Sequence, residues 1–447
     1  MFTLMLLIFV LGYVCIALEH VVFVNKSATA LLLGCIMWVC VAASLPSNTF
    51  VYTQFMEHQA LQPDSTFLLW LTQLYLPKHL GETAEILFFL IGAMTIVELI
   101  DSHRGFSFIT NRIATTKKTL LIWIICVCSF FLSAVLDNMT TTIVMVALIR
   151  KLIGDQKDKW LFAGMVVVAA NAGGAWSPIG DVTTIMLWLA GKVTSISIMS
   201  STFVASFVSM LVPLIILSFR LKGVVCRPEM QAAIYPTSIP VWQSKLILLA
   251  GVGLMLFVPV FKSLTHLPPY LGMLGGLGIL WVLTDVMHRK NHDRKEYHSV
   301  IAMIKKIDTP CVLFFLGILM AVEALQAFGH LNLLSNTLDA IPLDEPEKYY
   351  AITSVIGVLS SIIDNVPLVA GAMGMYDFPQ NHYFWEFLAY TAGTGGSILI
   401  IGSAAGVAAM GMERINFIWY LKKISLLAFA GYISGAAVYI LQHTVGG

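Results

Sequence analysis

Apolar runs separated by short polar or basic stretches recur along the whole chain. About twenty mostly apolar residues are what a helix needs to cross a bilayer. Uninterrupted runs occupy 2–24, 28–45, 85–100 with its flanks, 198–219, 243–261, 270–288, 309–325 and 424–442. Four further runs, 119–150, 160–190, 350–376 and 383–410, are broken by polar residues, Gly or Pro. Lipid offers unpaired backbone groups no hydrogen-bond partner, so such breaks are tolerated only where the backbone faces protein or a wet cavity. The pattern predicts an all-α polytopic membrane protein whose broken segments carry its chemistry. The first run starts at Met1 without a basic leader and ends at Leu18-Glu19-His20 without a small-residue cleavage site. It therefore reads as a retained span.

Composition supports this class. Of 447 residues 58% are hydrophobic and 11% charged, against about 25% charged in a soluble domain. A net charge of +1 offers no basic surface for nucleic acid. Six of the seven Cys lie in apolar stretches, with no C-x-x-C zinc pair. Walker, G-x-G-x-x-G, H-E-x-x-H and nucleophile-elbow motifs do not occur, so nothing suggests ATP-driven transport or an enzyme, and no cofactor is expected.

Lys and Arg fix the orientation. Twenty-two of the 26 fall on one side, which is therefore the cytoplasmic one; Lys78, Lys192, Lys262 and Lys348 fall on the other. This partition holds only if 119–150 and 350–380 each enter and leave on the same face. The first is then a re-entrant hairpin from the cytoplasm with its tip near Asp137-Asn138. The second enters from outside with its tip near Asp364-Asn365. The basic stretches 106–118 and 412–423 read as helices on the lipid surface, and 46–84 and 220–242 as polar connectors.

The two halves resemble each other in order. Leu87-Phe88-Phe89-Leu90 recurs as Leu313-Phe314-Phe315-Leu316, each followed by Gly, Met and a Glu (Glu98, Glu323). Leu136-Asp137-Asn138 recurs as Ile363-Asp364-Asn365, and Ala172-Gly173-Gly174 is echoed by Ala392-Gly393-Thr394. The first unit starts outside and the second inside, so the expected architecture is two inverted repeats, each with a re-entrant hairpin and a broken transmembrane helix. Such repeats mark a secondary transporter with its site near the midplane. The expected organisation is 1–84, scaffold helices and an outer loop; 85–219, repeat 1 with its helix break at 171–181; 220–308, a linker and scaffold helices; and 309–442, repeat 2 with its break at 393–403.

An Asp between apolar arms costs about 2.5–3.5 kcal/mol at the membrane centre on insertion scales. Asp137 is followed by Asn138, Thr140 and Thr141, hard oxygen ligands suited to a small hard cation. The same residues could instead cap a helix. In the stretch Asn171–Thr184, glycines and Pro178 interrupt the helix. Freed carbonyls join Asn171, Ser177, Asp181, Thr183 and Thr184 as oxygen donors. The second half supplies Ser360, Asp364, Asn365, Ser397 and Ser403, with no acid corresponding to Asp181. Asp137 and Asp364 are the expected principal carboxylates and Asp181 the third. Glu98 and Glu323 fall near the ends of spans. Glu82 and Glu85 sit at an outer mouth beside His79, which reads as a solvated loop histidine.

Leu136-Asp137-Asn138-Met139-Thr140-Thr141-Thr142 followed by the Asn171–Thr184 stretch resembles the paired signature of NhaD-type sodium/proton antiporters. These belong to the ion transporter superfamily, with arsenite permeases and divalent-anion/sodium symporters. The resemblance implies a scaffold and a transport domain, two opposed hairpins, commonly a homodimer, and Na+ or Li+ extrusion coupled to proton uptake. It adds Ser133 to the polar positions above. The expected surroundings are the lipid bilayer of a bacterial inner membrane, with monovalent cations and protons as cargo. A sodium-coupled dicarboxylate symporter or an arsenite efflux permease on the same scaffold is the alternative, and an ion channel a further one. Asp137 and Asp364 would repel a dianion.

Overall fold

The computed structural model describes residues 2–17, 19, 23–44, 50–61, 66–106, 115–226, 239–289 and 298–446. These residues are helical, without a ladder strand; Lys117 and Val224 form an isolated antiparallel bridge. Among the described residues eight helices are long and apolar enough to cross a membrane, and the helices Phe2–Ile16 and Asn365–Met375 are shorter apolar ones. The seven cysteines are free. Residues 107–114 of the basic stretch read as a surface helix lie outside the described residues.

The chain divides into two compact units. The first comprises Met1–Leu90, Asp308–Ile352 and Val366–Phe378. Its core is the crossing of helices Lys26–Ala43 and Thr309–Phe328. These backbones approach so closely that a Cβ on Gly34 would lie 2.7 Å from the Gly317 carbonyl oxygen. Small residues at a helix crossing allow this contact where apolar lipid supplies no hydrophobic drive. The Ser27 hydroxyl donates to Pro310 O at 2.6 Å, and the Trp38 indole to Met320 O at 2.8 Å.

Part of the expected connector 46–84 is helical. Helix Phe50–Leu61 is followed by a 36-residue helix, Phe67–Ser102. Pro77 falls inside that helix, two residues past a π-helical segment at Leu71–Tyr75. A π turn redistributes backbone bonding where the regular ladder is interrupted, so the apolar run from Phe67 continues into the span anticipated at 85–100. A further helix, His330–Asp339, lies between spans.

The second unit comprises Ile91–Ile307, Thr353–Asn365 and Pro379–Gly447. Helices Lys118–Leu136 and Asn138–Leu152 form the first hairpin, folded against the broken helix Gln156–Gly174 and Val182–Leu189. A second set has the same order of helices, Glu347–Leu359 and Asn365–Met375, then Tyr383–Gly395 and Ala404–Glu413; of its hairpin this unit holds 353–365, and the rest belongs to the first unit. Phe130, Phe162, Met165, Ile400, Tyr420 and Ile424 are among the buried side chains at the unit's core. The stretch 412–423 is not a surface helix. From Phe417 it is the first turn of the last long helix, Phe417–Thr444, because Tyr420 and Ile424 are drawn into that core. Just before it, Glu413 receives the Arg150 guanidinium at 2.5 Å, and its carbonyl accepts from Trp160 at 2.9 Å.

The two sets correspond contact for contact. Ser133 donates to Ala170 O at 2.6 Å in the first, and Ser360 to Ala392 O at 2.9 Å in the second. Gly173 packs on the Phe130 carbonyl, and Gly395 on the Gly357 carbonyl. Gly180 abuts Ser133 O, and Gly402 abuts the carbonyls of Ser360 and Ser361. The structural partners of Gly173-Gly174 are thus Gly395-Gly396, two residues beyond the sequence echo at Gly393-Thr394. Ser403 takes the place of Asp181.

Candidate functional site

The breaks in the second unit bring short helix ends together. Helix Lys118–Leu136 stops at Asp137, whose backbone has φ 82° and ψ 158°. Such angles are essentially restricted to glycine and cost about 1–3 kcal/mol in another residue. The same Asp137 starts the next helix: Oδ1 accepts from Thr140 N and Oδ2 from the Thr140 hydroxyl, both at 2.8 Å. One of the two expected principal carboxylates is therefore engaged as an N-cap.

Asp181 holds the centre. It is 1% exposed and caps Val182–Leu189. Its Oδ1 accepts from Thr183 N and Thr183 Oγ1, each at 2.9 Å. The Thr184 hydroxyl bonds the Asp181 carbonyl at 2.8 Å and accepts from Asp181 N at 3.3 Å, closing a capping box. Its Oδ2 accepts from Asn138 Nδ2 at 2.6 Å, and Asn365 Nδ2 lies 3.3 and 3.5 Å from the two oxygens. Tips of both hairpins thus reach one carboxylate on the first broken helix.

The network continues to the second broken helix. Asn138 Nδ2 also donates to Asn171 Oδ1 at 3.0 Å. Asn171 Nδ2 donates to the Ser397 hydroxyl at 3.0 Å and the Ser403 hydroxyl at 2.9 Å. Ser403 in turn caps Ala404–Glu413, with φ −145° and ψ 154°, nearly the angles of Asp181 (φ −144°, ψ 148°). Asn138, Asn171, Asn365, Ser397 and Ser403 are all buried. Asp137 and Asp364 each lie close enough to Asp181 for their charges to interact with it.

The structure therefore links Asn365, Asp181, Asn138, Asn171, Ser397 and Ser403 in one branched hydrogen-bonded chain, with Thr183 and Thr184 bonded to Asp181. Ser133 and Ser360 lie outside it; they pin the hairpins to the broken helices through carbonyls. Thr140 serves the Asp137 cap. The buried Thr141 hydroxyl has no hydrogen-bond partner among the described residues. Thr391 and Thr394 turn back onto carbonyls of their own helix. Ser177, expected as a further oxygen donor, instead donates its hydroxyl to Ala134 O at 2.5 Å and ties the break to the first hairpin. One supporting residue was not anticipated: the Tyr420 hydroxyl donates to Ser397 O at 2.8 Å, and nothing in the sequence separates Tyr420 from other aromatic residues of a span.

Helices begin at Asn138, Val182, Asn365 and Ala404 and end at Leu136, Gly174, Leu359 and Gly395. Helix starts carry partial positive charge and helix ends partial negative charge. Interrupted membrane helices whose ends surround a buried polar network define the class of secondary transporters.

Comparison with known proteins agrees. The family described as "Citrate transporter" matches residues 13–395. "Sodium/proton antiporter 1" of Arabidopsis thaliana is 45% identical over 445 residues, covering 99% of this chain and 72% of that protein. "Na(+)/H(+) antiporter NhaD" of Alkalimonas amylolytica is 31% identical over 463 residues, covering 97% and 89%. The NhaD of Vibrio cholerae is 29% identical, covering 98% and 91%. The chain belongs to the NhaD-type family of the ion transporter superfamily.

Proposed function

We propose that this protein exchanges cytoplasmic Na+ or Li+ for external H+. The observation that carries this reading is the hydrogen-bonded network centred on Asp181, which receives Asn138 and Asn365 from the two hairpin tips. A negative carboxylate ringed by amide and hydroxyl groups suits a small hard cation. The relatives named sodium/proton antiporters support the same choice.

The amide nitrogens of Asn138 and Asn365 face Asp181. A half-turn of each terminal amide exchanges its nitrogen for its oxygen. A cation beside Asp181 would then be met by carbonyl and hydroxyl oxygens. Without a cation, a proton on a carboxylate offsets the same charge. Na+ and H+ would each offset the charge of the one carboxylate, Asp181, so that occupancy by either weakens binding of the other. Competition of Na+ and H+ for one site, which opens to each side in turn, gives obligatory exchange without any covalent step.

The family description names a citrate transporter, and a citrate-type symporter must attract an anion. Here the acids would repel a dicarboxylate, so the symporter reading is not favoured. The inverted orientation of the two hairpins belongs to the same proposal and rests on the charge pattern of the loops. So do a homodimer, which the resemblance implies, and a bacterial inner membrane, for which the bacterial NhaD relatives are the support.

The test uses the full chain in proteoliposomes with a pH dye inside. Separate Na+, Li+ and K+ pulses and labelled succinate or citrate are applied. The proposal expects Na+ or Li+ to drive proton movement and no dicarboxylate uptake. Sodium-dependent uptake of a dicarboxylate without proton movement would overturn it.

A further inference from the structure

The first unit contains a cluster that the network above does not use. His79 and Glu82 lie one turn apart on helix Phe67–Ser102, and Glu323 lies on Thr309–Phe328. His79 was expected as a solvated loop histidine and Glu323 as an interfacial acid. Instead His79 Nδ1 sits 2.8 Å from Glu323 Oε2 and 3.5 Å from Glu82 Oε2. One ligand atom from each residue can be chosen so that all lie within 4.8 Å of one another. The His79 side chain is 14% exposed, Glu323 26% and Glu82 58%, so the cluster is held on one side and open on the other. The Tyr75 ring lies tilted against the His79 ring, with centroids 4.5 Å apart, and crowds it on that side.

The close approach of His79 Nδ1 to Glu323 lacks hydrogen-bond alignment. A ring nitrogen and two carboxylate oxygens that converge without a well-aligned proton between them are what a divalent cation joins. Zinc takes nitrogen at about 2.0–2.1 Å and carboxylate oxygen at about 2.0–2.2 Å, so neighbouring ligand atoms on a tetrahedral ion lie about 3.4 Å apart. The two measured separations bracket that value. One His and two carboxylates leave a coordination position for water or a partner group.

We propose that His79, Glu82 and Glu323 form a binding site for a divalent transition cation of the zinc class, distinct from the transported-ion site. Its ligands come from two helices of the first unit, so a bound ion fastens helix Phe67–Ser102 to helix Thr309–Phe328. The proposal concerns binding and holds whether or not the chain exchanges Na+ for H+.

The test is zinc chloride titration of the purified full-length protein, with any affinity tag removed, by calorimetry and by thermal unfolding. The expected result is one saturable site with a dissociation constant of 10 µM or tighter and a rise in Tm that chelator reverses; these values are on the order expected of a three-ligand site open to water. His79→Gln and Glu323→Gln should each weaken binding at least tenfold. Glu82→Gln, which changes a largely exposed side chain and so leaves folding intact, should weaken it threefold or more. Wild-type affinity in Glu82→Gln together with either other variant would overturn the proposal. So would the absence of saturable binding by the wild-type protein up to 100 µM zinc.

Discussion

Replacing Asp181 with Asn removes the charge at the centre of the network while keeping its shape. The amide offers one oxygen where the carboxylate offers two. Asn138 Nδ2, Asn365 Nδ2, Thr183 N and the Thr183 hydroxyl all approach the carboxylate as donors. Whichever way the new amide turns, its NH2 meets a donor, and one buried group goes unsatisfied at a cost of about 1–3 kcal/mol. The effect on cation binding is larger. A unit charge about 4 Å from a cation contributes about 4 kcal/mol at an effective dielectric of 20, or about three orders of magnitude in affinity. Asp181→Asn should therefore raise the KM for Na+ at least a hundredfold, or abolish sodium-driven proton flux, with a modest fall in Tm. Asp181→Ser serves as the folding control, because Ser403 already caps the corresponding helix with nearly the same backbone angles. Proton flux is read in proteoliposomes and Tm in detergent. If either variant folds and exchanges Na+ for H+ with wild-type KM, the central place given to Asp181 is wrong.

Three further outcomes follow from the geometry. Asp137→Gly should leave stability within about 1 kcal/mol of the wild type, since relief of the φ 82° backbone offsets the lost cap, yet it should impair transport; a large drop in Tm would contradict the strain argument. Gly395→Ala places a Cβ on the Gly357 carbonyl in a crowded crossing, and should lose about 2 kcal/mol or more, read as loss of monodisperse protein on size-exclusion chromatography; normal yield and Tm would count against the close packing of the second hairpin. His103, just beyond the end of its span, is buried, and burial pushes its imidazole down to about 4, assisted by the neighbouring His298 and His288. The unfolded chain takes up that proton near pH 6.5. The contribution of His103 is therefore complete above about pH 6.5 and is lost as pH falls toward 4, by about 3 kcal/mol at most. His103→Gln should flatten the fall of Tm between pH 7 and pH 4.5, and an unchanged slope would refute this.

Much of the site could be read from the chain because the bilayer makes polar breaks costly. The helix stops at Asp137, at Gly174 and before Asp181 follow from Pro178, the glycines and the capping residues. What the sequence hid was the division of labour. Asp137, Asp181 and Asp364 look alike as letters. Only the backbone at Asp137 shows that its carboxylate turns toward Thr140, which leaves Asp181 to receive both hairpin tips. The register of the second break was misplaced by two residues, because Gly393-Thr394 imitates Gly173-Gly174 locally. The matching bonds of Ser133 to Ala170 and Ser360 to Ala392 are long-range and leave no mark in composition. The segment 67–76 was passed over for a related reason. Its apolar run is short and Pro77 follows it, and a π turn that carries the helix on is not visible as a sequence pattern.

The central claim is that Na+ and H+ compete for one site centred on the Asp181 carboxylate. Its most direct test is the apparent affinity of the purified full-length protein for Na+, titrated at successive pH values across the active range. Competition with one proton predicts that, below the pH at which the site loses its proton, affinity falls about tenfold per unit of pH, while the number of Na+ bound at saturation stays constant. An affinity for Na+ independent of pH throughout would mean that the two ions do not share the site, and would contradict the account.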